Sequence, residues 1–133
     1  MELYILESTR TNNFTDPEMY NKIVGLWQNV QNRLEVEQLA KYGVYHNYEN
    51  NYKGDYDLST ATSSFITSKK LTLSDQGYKI FKVDNSRENG VFETWQQIWA
   101  LEESGELDRA YTFDYEKYEV NGEIEIFIAV NEQ

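Results

Sequence analysis

The sequence predicts an α+β domain in which one strand-helix-strand-strand unit occurs twice about a pseudo-two-fold axis, as an antiparallel sheet with two main helices on one face. Three observations predict it. Tyr20, Ile23, Trp27, Val30 and Leu34 recur at spacings of three and four, and Val91, Trp95 and Ile98 do so in the second half, so each half carries an amphipathic helix. Short runs of strand formers flank both stripes. The halves also keep register: Trp27-Gln28 is separated from Trp95-Gln96 by the same interval as Gly54 from Gly122, Ile23 from Val91 and Val30 from Ile98. Asn47-Tyr48-Glu49 and Asp114-Tyr115-Glu116 fall one residue short of that interval, as a loop indel would produce. The 133 residues fit one domain, 1–133, with repeats of approximately 1–66 and 70–133.

The elements follow in order. Leu3 to Thr9 is the first strand, and Asp16-Pro17-Glu18 reads as a helix start, with an N-cap acid followed by proline at the first helical position. Tyr42 to Glu49 and Asp55 to Ser63 are strands joined by a turn at Asn50-Gly54, and Thr60 to Lys70 connects the halves. Tyr78 to Val83 is the next strand, the second helix follows, and Gly105 is its stop. Ala110 to Tyr118 and Glu123 to Val130 form a final hairpin across Val120-Asn121-Gly122, where Asn-Gly favours a tight turn.

Composition narrows the function. With Asp+Glu 23 against Lys+Arg 12, the net charge of −11 leaves no basic stripe for a phosphate backbone, so direct nucleic-acid binding is not expected. There is no cysteine and only His46, which argues against thiolate or histidine metal sites; no cofactor is expected. No apolar run reaches membrane-spanning length and no leader is visible, so a cytoplasmic protein without membrane contact is expected. Aromatic residues make up 15%, and tyrosine and tryptophan serve a binding wall as well as a core.

Strand alternation proposes the site. Ile124, Ile126, Ile128 and Val130 form one apolar set facing the helices, which sends Glu125 and Phe127 to the other face. In the preceding strand, Tyr111, Phe113 and Tyr115 go with the apolar face, and Asp114, Glu116 and Tyr118 with the open one. The repeat adds Tyr45, Asn47, Glu49, Asp55 and Asp57 to that open face. Carboxylates interleaved with aromatic rings suit the floor of a cleft for organic cations. An ordinary solvated acidic face has the same pattern; the aromatic interleaving favours the cleft.

The runs Val91-Phe92-Glu93-Thr94-Trp95-Gln96-Gln97-Ile98-Trp99, Asp114-Tyr115-Glu116-Lys117-Tyr118 and Glu125-Ile126-Phe127-Ile128-Ala129-Val130 resemble the GyrI-like, or bacterial effector-binding, domain. That domain occurs in multidrug-responsive transcription regulators and in single-domain integron-cassette proteins. The resemblance implies a duplicated strand-helix-strand-strand fold that binds amphipathic, often cationic, compounds. It makes Glu116, within Tyr115-Glu116-Lys117-Tyr118, the favoured ligand-facing acid, and Glu125 its partner. Many members have proline where this chain has Ala129. Because the first strand begins almost at Met1, no helix-turn-helix domain is expected.

The expected function is therefore effector binding, of a small amphipathic cationic molecule. Glu116 and Glu125 supply charge, Tyr45, Tyr118 and Phe127 a floor, and Asn47, Glu49 and Asp57 further polar groups. Phe92 and Trp99 are weaker candidates from the second helix. Trp95, matched by Trp27, reads as core. Hydrolysis of a small reactive compound ranks below binding, since no activated nucleophile or phosphate-cradling loop is evident. Modulation of a protein partner, such as a DNA topoisomerase, is a third reading, with little support from charge spread over the whole chain.

Overall fold

A computed structural model describes residues 1–73 and 77–131. Its elements are β1 (Glu2–Thr11), α1 (Met19–Gln31), β2 (Lys41–His46), β3 (Tyr56–Thr62), β4 (Lys70–Thr72), β5 (Tyr78–Lys82), α2 (Gly90–Glu103), β6 (Asp114–Tyr118) and β7 (Ile124–Ala129), with a 3-10 turn at Leu34–Val36. The strands form one sheet in the order β4-β1-β3-β2-β6-β7-β5, antiparallel throughout. Setting the short β4 aside, β1-β3-β2 and β6-β7-β5 mirror one another about the β2/β6 pair, which is the duplicated, pseudo-two-fold architecture.

Both helices lie on one face. Leu26 of α1 packs on Tyr56 and Leu58, while Trp95 and Ile98 of α2 pack on Ile126 and Ile128. Gly90 opens α2 where a side chain is impossible: a Cβ there would stand 2.3 Å from the Asp84 carbonyl oxygen. Leu34 leaves the expected apolar stripe, at 81% exposure, because α1 ends at Gln31; Tyr20, in the first turn of the helix, is 72% exposed. Asp16 does not cap α1; it accepts the Glu18 N–H at 2.9 Å and the Lys22 ammonium at 2.6 Å, fixing the approach to the helix.

The other face of the sheet is apolar as well. Leu3, Tyr42, Val44, Ala61, Leu73 and Tyr115 form a second core, joined by Leu71 on one edge strand and Tyr78 on the other. Residues from both edges meet in one cluster, so the sheet curls around it into a half-barrel. Burial there needs no helix: the curl removes those side chains from water. No described helix is long and apolar enough to cross a membrane.

Two isoleucines test the packing. Ile126 is fully buried under α2 and Ile80, on β5, is 52% exposed. In urea unfolding, Ile126→Ala should cost about 2–5 kcal/mol, and Ile80→Ala should stay within about 0.5 kcal/mol. Equal costs would mean that the helix-covered face is misplaced.

Candidate functional site

Register decides which side chains meet. Glu116 pairs with Gly43 on β2 and with Ile126 on β7, so it shares the helix-covered face with the isoleucines. Asp114 pairs with Tyr45, and Tyr118 with Lys41 and Ile124, on the same face. Glu125 pairs with Lys117 and turns the other way, together with Tyr115 and Phe127. The expectation that Glu116 and Glu125 share a hollow is thus overturned. Its premise was that only one face is apolar; Tyr115 instead enters the curl, stacked on Phe127 at 4.5 Å, and sends its neighbours Asp114 and Glu116 under the helices.

Glu116 is 3% exposed and lies at the centre of a ring of donors. Tyr118 Oη donates to Oε1 at 2.8 Å, while Tyr45 Oη and Trp95 Nε1 donate to Oε2 at 2.9 and 2.7 Å. All three donors are neutral, and among the described residues no cation forms an ion pair with Glu116. Burial raises its pKa above the usual carboxylate value, opposed by the hydrogen bonds from Trp95, Tyr118 and Tyr45. Burial, together with the neighbouring carboxylate, also raises Tyr45 and Tyr118, which remain protonated donors.

Tryptophans from both helices flank this carboxylate. Trp95 reaches it from α2, and its ring meets Tyr45 edge-on at 5.1 Å. Trp27 of α1 meets Tyr118 edge-on at 5.0 Å and lies over Gly43. A Cβ at residue 43 would stand 2.9 Å from the Trp27 ring and 3.3 Å from Glu116 Oε1, so glycine is what admits the indole. Two shallow concavities occur on α2, around Arg87, Phe92 and Gln96 and around Gln97, Ala100 and Ser104; neither includes Glu116.

Two strand positions away, Asp114 is also buried but differently satisfied. Arg109 donates to it at 2.7 Å, Tyr48 Oη at 2.5 Å and the Ala129 N–H at 2.8 Å. The Arg109 side chain is 1% exposed, with its guanidinium 4.3 Å from the Tyr111 ring centre and 5.8 Å from that of Trp95. This pair is internally neutral and sits beside the Glu116 ring.

The remaining expected residues scatter. Asp57 lies on the face away from the helices, paired to Arg10 at 3.0 Å. Asn47 and Glu49 are not on a strand: β2 ends at His46 and Asn47 has a left-handed φ of 51°, so the repeated tripeptide becomes a loop. Asn47 there donates to Asp57 at 2.8 Å. Phe92 is 54% exposed, and Trp99 stacks on Tyr52 at 5.5 Å with Phe14 alongside. Of the ten candidates, Glu116, Tyr45 and Tyr118 converge. Trp27, and the role of Trp95 beyond the core, were missed. Their recurrence at the repeat interval was the available signal, because a buried indole N–H needs an acceptor.

No family model matches the sequence, and no curated protein matches it. The chain is similar to a solved structure described as integron cassette protein VCH_CASS2, from the mobile metagenome of Vibrio cholerae. The two are 27% identical over 98% of this chain and 90% of that one, with a TM-score of 0.79. They share the fold.

Two outcomes follow from the site. The folded Glu116 pKa lies above its unfolded value of about 4.3, so the native state retains a proton that the unfolded chain releases. This contribution to stability is present at low pH and is lost as pH rises through the folded pKa. Glu116→Gln should therefore gain in urea midpoint relative to wild type between pH 4 and pH 8; a difference independent of pH would contradict it. Gly43→Ala should cost about 1–3 kcal/mol and red-shift tryptophan emission as Trp27 is pushed outward; an unchanged spectrum would place the indole elsewhere.

Proposed function

We propose that the chain is a receptor for a small amphipathic cation, held between α1 and α2 with its positive charge at Glu116 and its rings against Trp27, Trp95, Tyr45 and Tyr118. One observation carries this reading: Glu116 is a buried carboxylate ringed by three neutral donors and paired with no cation among the described residues, while Asp114 beside it is neutralised by Arg109. Burial of an ionised carboxylate is costly without a counter-charge. A bound cation supplies that charge, and the surrounding rings add cation–π attraction of roughly 0.5–2 kcal/mol per contact.

Tyrosine and tryptophan hydroxyl and N–H groups hold the carboxylate in its acceptor form without satisfying its charge. Ligand entry requires the Trp27 ring to leave its seat over Gly43 and its edge contact with Tyr118. The reading agrees with the resemblance to effector-binding domains, in which a single domain, here 1–133, serves as the binding unit. Sensing or sequestration then depends on what the occupied form contacts.

Fluorescence polarisation of rhodamine 6G, with anionic fluorescein as control, tests the proposal. Rhodamine should bind, fluorescein should not, and Glu116→Gln should weaken rhodamine at least tenfold, about 1.4 kcal/mol. Affinity should also fall as pH is lowered through the raised pKa of Glu116 and the carboxylate takes up its proton. Equal binding of the two dyes, or indifference to Glu116→Gln, would end the proposal.

A further inference from the structure

We propose that Ser8 is an acyl-acceptor serine, activated through Ser59 by the imidazole of His46, that takes an acyl group from activated donors such as aryl esters or thioesters. The site lies on the face of the sheet away from the helices, apart from Glu116. Register assembles it from three strands. Ser8 on β1 pairs with Ser59 on β3, Arg10 pairs with Asp57, and Asp57 pairs with His46 on β2. Directly paired residues share a face, as do residues two apart on one strand, so all five side chains lie together.

The two hydroxyls and the imidazole form one chain. Ser8 Oγ and Ser59 Oγ are 2.6 Å apart, and Ser59 Oγ is 2.8 Å from His46 Nε2. Ser59 is fully buried, and His46 is 7% exposed with its ring stacked on Phe113 at 5.8 Å, so the inner two members are fixed. Ser8 is exposed. β4 pairs only with Glu2, Leu3 and Tyr4, which leaves β1 at Ser8 as the open edge of the sheet, and a donor needs no cavity to reach the hydroxyl. Arg10, two positions along the same face, is held through Nη1 by Asp57 and the Asn47 carbonyl. Its guanidinium makes no other hydrogen bond among the described residues, so further N–H donors can meet the acyl oxygen as that atom gains charge.

With His46 in its Nδ1–H tautomer, Ser8 donates to Ser59 and Ser59 donates to Nε2. Ser8 Oγ forms a bond to the acyl carbon, and the bond from that carbon to the leaving oxygen or sulfur breaks. The leaving group departs with the electron pair, as aryloxide or thiolate. The Ser8 proton passes to Ser59, whose own proton passes to Nε2, and the imidazolium then releases a proton to water. Burial lowers the His46 pKa, with Asp57 opposing and Arg10 reinforcing the shift, so the ring is a neutral base at pH 7. The imidazole lies behind Ser59 rather than beside the ester, so the product is acyl-Ser8.

Incubation with 4-nitrophenyl acetate, followed by peptide mass spectrometry, tests this. Ser8 should be acetylated at least about tenfold faster than Ser63, an exposed serine with no imidazole behind it. The rate at Ser8 should rise with pH through the lowered His46 pKa and then level off. A rate that climbs in proportion to hydroxide throughout would overturn the proposal, and this reading needs no variant. His46→Gln should bring Ser8 down to the Ser63 rate. Should it fail to fold, Ser59→Ala, which interrupts the chain but keeps the imidazole, should do the same. Wild-type Ser8 labelled no faster than Ser63, or undiminished labelling in either variant, would also overturn it.

Discussion

Taking a carboxylate out of water costs several kcal/mol unless donors or counter-charges replace its hydration, and β6 does this twice on one face. Asp114 and Glu116 are fixed there by the pairing of β6 with β2 and β7, and the side chains around them answer that constraint. Arg109 is buried because Asp114 is; Tyr45, Tyr118 and Trp95 aim their polar ends inward because the acceptor oxygens of Glu116 need donors. The two solutions differ in kind. One ends in electrical neutrality, the other in hydrogen bonding that leaves a net charge.

The curl of the sheet makes this arrangement feasible. A flat sheet with helices on one side would leave its other side wet, and its apolar residues would all turn toward the helices. Here the residues near β4 and on β5 meet in one cluster, so Leu3, Tyr42, Val44 and Tyr115 have a core of their own. That second core absorbs hydrophobic residues that would otherwise compete for the helix-covered face. Space between the helices is thereby freed for polar groups at the middle of the sheet, where β2 and β6 meet and the pseudo-symmetry axis passes.

The duplication supplies matched parts that have diverged in use. Trp27 and Trp95 occupy corresponding helices, yet one packs over the glycine beside Glu116 and the other donates a hydrogen bond to it. Glu116 belongs to the second half alone, since Asn47-Tyr48-Glu49 leaves the strand at the left-handed Asn47. A symmetric shell thus surrounds an asymmetric charge. The similarity to the integron cassette protein covers nearly the whole chain, so this framework is shared by a second sequence at 27% identity.

Periodicity along the chain determined the helices, the order of the elements, the duplication, the Asn-Gly hairpin and the isoleucine face of β7, because each follows from local spacing and turn chemistry. Strand alternation also set Glu116, Tyr45 and Tyr118 on a common face, but assigned that face to the side away from the helices. It could not determine that Tyr115 and Phe127 face away from the helices: a strand flanked by two apolar environments has no hydrophobic signal to say which side is which. Glu125, Phe127 and Asp57 were assigned with Glu116 for that reason, and strand register separated them. The Arg109–Asp114 pair and the closure of Trp27 over Gly43 likewise arise from contacts between distant segments. Only the folded chain, by choosing which face each strand turns to the helices, decided where charge would be buried.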